Sequence, residues 1–194
     1  MKAAIAILQH TSDFSAEKLQ EASQFCEDFV TENAANLPSF LQLYSSCGDE
    51  VMQYWLLDAI CKVVQQHYEK VNDAAKQQMQ KAYFQLIVEK PELVLSKKYT
   101  INKYALIFVL LVKRDFPGNW QDAFQELLSL VKQTQHDARL LEKVMFLIVR
   151  VMLTLDQEIV ERNELNKRDK SFDSVAIKDG IRRLSINDIV FILT

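Results

Sequence analysis

The chain has 194 residues, 49% of them hydrophobic, and its 23 Lys and Arg nearly balance 26 Asp and Glu to leave a net charge of −3. That is enough apolar content to bury a core, and too little positive charge for a domain that grips phosphates non-specifically. Three glycines and three prolines are too few for a sheet protein built on tight turns, whereas abundant Leu, Ala, Gln, Lys and Glu favour long helices.

Cys26, Cys47 and Cys61 are odd in number and share no spacing, which speaks against a disulfide framework and for reduced, intracellular thiols. The apolar run after Lys2 ends at Leu8, short for a signal-peptide core, and no small-residue cleavage site follows it. Residues 104–112 and 144–149 are strongly apolar. Lys103, Lys113, Arg114 and Arg150 interrupt them well short of the roughly 18 residues a membrane span needs, so no membrane insertion is expected.

In chain order, Ser12 or Asp13 can cap a helix that starts near Phe14 and runs to about Asn33, with Leu19, Ala22, Phe25, Cys26 and Phe29 on one face. Asn36 can cap a short helix with Pro38 in its first turn, where the missing N–H is harmless. The stretch "YWLLDAICKVVQQHY" lies in a helix from Asp49 to about Tyr68. Val51, Met52, Trp55, Leu56, Ala59, Ile60, Val63 and Val64 give it a broad apolar face.

The next helix, Asp73 to Lys90, is of another kind. Its apolar stripe is narrow, and Lys76, Gln77, Gln80, Lys81, Gln85 and Glu89 form a wet face. Pro91 is expected to close it, with "ELVLSKK" as a connection. A nearly all-apolar helix is predicted from about Thr100 to Arg114. "DFPGN" reads as a turn, Asn119 as the cap of a helix from Trp120 to Lys132, and Ala138 to Val160 as a further helix. The polar run "RNELNKRDK" leads to a last helical stretch near Ser174.

Helices thus come in pairs joined by short turns, a broadly apolar one followed by a narrower amphipathic one. The pairs recur about every forty to fifty residues, as HEAT-type repeats do. A pair cannot bury its apolar face alone, so pairs stack. The expected fold is all-α, an α-solenoid of antiparallel HEAT-type helix pairs with about three to four repeats, preferred to a closed bundle. The expected division is an N-terminal extension over 1–13, repeats over 14–161, a polar connection over 162–173, and a truncated start of a further repeat over 174–194.

The segments "VMQYWLLDAICKVVQQHY" and "INKYALIFVLLVKRDFPGNWQDAFQELLSLV" resemble the N-terminal HEAT repeats of the exportin branch of the importin-β superfamily. The matching residues are Ile101, Asn102 and Lys103 at a helix start, then Asp115, Phe116, Pro117 and Trp120 at its end. "LTLDQEIVERNELN" followed by "IKDGIR" is similar to the exportin-T family, the tRNA exportins. The counterparts are Asp156, Glu158, Ile159, Val160, Arg162, Ile177, Lys178, Asp179 and Arg182. After Arg183 the chain departs from the family pattern.

The resemblance implies a non-catalytic nuclear export receptor that embraces the small GTPase Ran in its GTP form. The full-length family carries tRNA past nuclear pore proteins and shuttles between nucleus and cytoplasm. It implies Ran contacts along the wet strip of Lys76, Gln80 and Lys81 and at Lys178 and Asp179. It also leaves room for tRNA phosphate contacts by Arg162, Lys167, Arg168 and Lys170. No cofactor is implied. Two alternatives remain open: a truncated exportin-derived scaffold without transport activity, and an exportin for protein cargo.

The bland readings compete with these. Tyr54 and Trp55 could be a stacking platform for a base, but their place in a broad apolar face makes core packing the expectation. His10, His67 and His136 share no helical turn and make no zinc spacing with a cysteine, so no metal is expected. No glycine-rich phosphate loop, GxSxG or HExxH is present, and no thiol sits beside a base, so no enzyme is expected. Asn102 and Lys103 are expected to serve the first turn of a buried helix, and Pro117 and Trp120 to act as turn and anchor. Glu161, Glu164 and Asp169 dilute the basic loop.

Overall fold

The structure is a computed structural model and describes residues 1–9, 13–160 and 174–183. Among these it is all-α, with long helices packed as antiparallel pairs in the manner of HEAT repeats. The chain divides into two compact units, Met1–Ala82 and Tyr83–Thr194, with the boundary inside one continuous helix.

The first unit opens with α1 (Lys2–Gln9), followed by α2 (Ala16–Asn33). The sequence reading put no helix before residue 14. Here α1 packs on α2 and on α4, and Ile5 is buried. The cap of α2 is Ser15, whose side chain accepts from the Lys18 N–H at 3.4 Å, in place of Ser12 or Asp13. On α2 the buried row is Ala22, Cys26 and Val30, spaced by four, so Phe25 falls outside it and is 51% exposed. The expected face was turned about one residue too far.

α3 (Leu37–Ser46) carries Pro38 in its first turn and buries Leu37, Phe40, Leu41 and Tyr44. It packs against α4 (Glu50–Gln66), whose N-terminus is capped by Asp49 accepting from Val51 and Met52 N–H at 3.0 and 3.2 Å. Leu56, Leu57, Ala59, Ile60, Cys61, Val63 and Val64 of α4 are buried, so its face is as broad as its sequence implies. Between α2, α3 and α4 the Phe29 ring stands edge-on to Phe40 at 6.2 Å and tilted against Trp55 at 6.0 Å. Tyr54, expected in the core, is 41% exposed, because α4 turns that position away from α2 and α3. Asn72 then caps α5 (Asp73–Glu89) through the Ala75 N–H at 2.9 Å.

In the second unit Pro91 opens a short helix, α6 (Pro91–Leu95), where a connection was expected. Proline fits an N-terminal first turn, and Val94 and Leu95 are apolar at the spacing that lets this turn bury them. α7 (Lys98–Asp115) is buried on nearly every side, from Ile101 through Tyr104, Ala105 and the run Ile107–Val112. Its main partner is α9 (Ala138–Leu155), with α6 and α10 (Ser174–Arg183) adding to its cover, while α8 (Ala123–Thr134) packs on α9.

The rings of Tyr83, Phe84, Tyr104, Phe108, Trp120 and Phe124 meet at centroid distances between 5.1 and 6.2 Å, mostly edge to face, as ring quadrupoles prefer. α8 starts later than expected. Asn119 and Trp120 lie in the turn, their N–H groups bonded to the Asp115 carbonyl at 2.7 and 3.1 Å. Asp137 caps α9 through Arg139 and Leu140 N–H. α9 ends at Leu155 and loosens into a π-helical turn, Asp156–Val160, where regular helix was expected.

Candidate partner-binding surface

The wet face expected on α5 is interrupted. Gln80 is only 6% exposed, because it shares the inner side of the helix with Met79 and Tyr83. Lys76 is held rather than free: its Nζ lies 3.2 Å from Asp73 Oδ1 and 5.1 Å from the centroid of the Tyr68 ring. Its side chain is mostly covered as a result. Lys81 is exposed, as are Gln77, one turn before it, and Gln78. The reachable surface of α5 in the first unit is therefore a short amide-rich patch around one ammonium group. A helical-wheel count could have singled out Gln77 and Lys81, which are four apart.

Lys178 and Asp179 are half-buried on α10, in the second unit, beside the fully buried Ile177 that anchors this helix. They are thus not on the helix that carries Lys76 and Lys81. Arg162, Lys167, Arg168 and Lys170 lie outside the described residues.

The motif residues divide into structural roles. Ile101 is buried and Asn102 stands in the second turn of α7, because that helix starts at Lys98. The first-turn role expected for Asn102 and Lys103 is thereby corrected. Asn102 Oδ1 is buried with no hydrogen-bond partner among the described residues. Trp120 is 5% exposed, packs on Phe108 at 5.4 Å and donates from Nε1 to Glu126 Oε2 at 3.1 Å. It is an anchor within the fold. Glu158, in the π-helical turn, reaches Lys113 of α7 at 3.3 Å, both side chains mostly buried.

Burial pushes the Cys26 thiol up, away from the reactive thiolate, and its Sγ faces Met1 Sδ at 3.9 Å. His67 Nε2 lies 3.4 Å from Thr31 Oγ1, and His10 is outside the described residues. No group of three His, Cys, Asp or Glu among the described residues could hold a metal, and no described helix is long and apolar enough to cross a membrane.

One surface escaped the sequence reading. α9 leaves Phe146, Val149 and Leu153 exposed along one row, beside a groove of about 820 Å³. Its signal was present: the apolar residues of α9 cover more than one face, more than a single packed neighbour needs.

Residues 97–194 match the family model described as exportin 1-like protein. The chain is 24% identical to mouse exportin-5 over 149 residues, which is 76% of this chain and 12% of that protein. It is 26% identical to human exportin-5 over 132 residues, 68% of this chain and 11% of that protein. The chain therefore spans only about an eighth or less of the length of these relatives. No solved structure matches it significantly. The matched family region contains α7, with its Asn-Lys pair and its Asp-Phe-Pro-x-x-Trp ending, together with everything packed on it from α8 to α10. On that match, which takes in just over half of its residues, the chain belongs to the exportin 1-like family of karyopherins.

Proposed function

We propose that this chain is the N-terminal part of a nuclear export receptor and carries part of the surface that recognises Ran in its GTP form. Family membership is the observation that carries the reading. The α-helical pairs are the scaffold such a surface needs, since a row of helices presents several side chains to one partner at once. The exposed patch of Gln77, Gln78 and Lys81 on α5, with Lys178 and Asp179 on α10, supplies candidate contacts of mixed charge. The receptor binds and releases; it catalyses nothing. Cargo release then follows from linkage, because GTPase and cargo each raise the affinity for the other. A receptor of this kind also touches nuclear pore proteins and shuttles between nucleus and cytoplasm.

The test is binding of the purified chain to Ran loaded in parallel with a GTP analogue and with GDP. Preference for the GTP form is expected. Equal affinity for the two forms, or none in a chain whose helical circular dichroism is intact, overturns the assignment of the nucleotide-sensitive contact to this piece.

The finer reading is tRNA as the cargo of the whole receptor. It is supported by the exportin-T-like residues Asp156, Glu158, Ile177, Lys178 and Asp179, and by the basic run Arg162, Lys167, Arg168 and Lys170. Folded RNA would be read by shape and backbone. The second reading is an exportin for protein cargo, since the relatives matched are exportins not named for tRNA. Charge-reversing Lys167, Arg168 and Lys170 and measuring tRNA binding in the presence of Ran and GTP separates the two, since only the first predicts a loss. A chain that bound neither Ran nor RNA would stand instead as an exportin-derived scaffold.

A further inference from the structure

Basic residues stand ahead of a hydroxyl at three places in the chain: Lys97 and Lys98 before Thr100, Arg168 and Lys170 before Ser171, and Arg182 and Arg183 before Ser185. Kinases that select basic substrates read such runs, because carboxylates in their peptide groove pair with cations three and two residues before the acceptor. The fold removes the first place. Thr100 stands in the first turn of α7 and is 4% exposed, so its hydroxyl reaches an active site only if the central helix of the second unit unwinds. The second place has Arg168 three residues before the serine but Asp169 two before it, which the same carboxylates would repel.

At the third place both positions are arginine. A guanidinium fork pairs with a carboxylate through two N–H donors, where an ammonium offers only a point charge. Arg182 and Arg183 are the last two residues of α10, and the serine falls two residues past its end. Ser185 itself lies outside the described residues. It is thus not part of α10, in contrast to Thr100 within α7.

We propose that Ser185 is a phosphorylation site for a basophilic serine/threonine kinase, which recognises it through Arg182 and Arg183. ATP supplies the phosphoryl group. The Ser185 Oγ attacks the γ-phosphorus, the bond from that phosphorus to the β–γ bridging oxygen breaks, and ADP leaves. The hydroxyl proton passes to a base of the kinase. The phosphoserine carries about −1.5 to −2 charges near neutrality and takes the net charge of the chain from −3 to about −5. Its effect falls on α10. Two cations at the end of that helix suit its negative pole, and a phosphate two residues beyond opposes it. α10 has only ten residues, too few to persist without packing, and its anchor is the buried Ile177. Phosphorylation therefore loosens the helix that carries Lys178 and Asp179. The site stands whether or not those two residues touch the GTPase.

The test incubates the full chain with ATP and the catalytic subunit of cyclic-AMP-dependent kinase, a kinase of this specificity, and maps the phosphate by tandem mass spectrometry. Ser185 is expected to be the principal site, and Ser185→Ala to remove most of the incorporation. Arg182→Ala with Arg183→Ala should slow it more than about tenfold. Arg182→Lys with Arg183→Lys should recover part of the rate, and this pair keeps the charge at the end of α10 unchanged. Amide hydrogen exchange over residues 174–183 should quicken severalfold in the phosphorylated chain. No phosphate at Ser185, phosphate chiefly at Thr100 or Ser171, or a rate indifferent to the loss of both arginines overturns the assignment. Unchanged exchange over 174–183 overturns the loosening of α10.

Discussion

Lys113 and Glu158 form a mostly buried ion pair within the second unit. Their side chains are 12% and 13% exposed and lie 3.3 Å apart, joining the last turn of α7 to the turn that follows α9. Removing one partner leaves the other's charge less well compensated where water reaches it poorly, whereas removing both does not. Lys113→Met or Glu158→Leu alone should each cost about 2 kcal/mol, discounted from a fully buried pair. The double variant should cost less than the two singles added, measured by urea unfolding. Additive costs would mean that the two charges are not coupled.

Tyr83 makes a second prediction. Its hydroxyl donates to the Tyr104 carbonyl at 3.0 Å, and complete burial drives the phenol far above its ordinary value of 10.0. The protonated form is therefore favoured by folding. Below pH 10 Tyr83 is neutral folded or unfolded, and its contribution to stability is fully present. As pH rises past 10, the unfolded chain ionises there and the folded chain does not. Stability then falls by about 1.4 kcal/mol per pH unit on account of this group. Tyr83→Phe should cost about 1 kcal/mol at neutral pH through the lost hydrogen bond and make the alkaline decline shallower. Parallel declines in the two proteins would show that Tyr83 ionises in the folded state as easily as outside it.

At the scale of elements, what the sequence discloses follows from how local its causes are. Asp49 and Asp137 cap through their own side chains within three residues, and both helix starts can be read from the chain. Asp49→Ala and Asp137→Ala should each cost about 1 kcal/mol and leave the rest of the fold in place, measured by thermal unfolding. A cost near zero at either would mean that tertiary packing alone sets that start. The start of α8 is not legible, because Trp120 is drawn out of the helix by the ring of Phe108 and by Glu126, contacts made only once the unit is folded. α6 hides behind a proline that ends one helix and begins the next. The burial of Gln80 within the α5 strip is illegible for a related reason. Gln80 is polar by composition, yet it sits beside Met79 on the side the fold covers, and no periodicity reveals a buried amide. The exposed row of α9 is the opposite case: Phe146, Val149 and Leu153 are apolar by composition, yet the fold leaves them uncovered among the described residues.

For the whole molecule, the receptor reading has to be told apart from an ordinary solvated surface. The chain is a small share of its relatives' length and carries a net charge of −3, so no strong non-specific attraction would draw a partner to it. Binding then rests on a few placed groups. Lys76 and Lys81 divide that question because the fold treats them differently. Lys76 is tied to Asp73 and lies over the Tyr68 ring, so Lys76→Glu sets a carboxylate against both and should lower thermal stability. Lys81 is exposed on α5, so Lys81→Glu should leave the melting temperature unchanged. If α5 meets the GTPase, Lys81→Glu weakens GTP-form Ran binding on the order of tenfold, mainly through the association rate and most strongly at low salt. A Lys81→Glu chain that binds Ran as the wild type does at every ionic strength would remove α5 from the interface. The search for the contact would then move to Lys178 and Asp179 on α10.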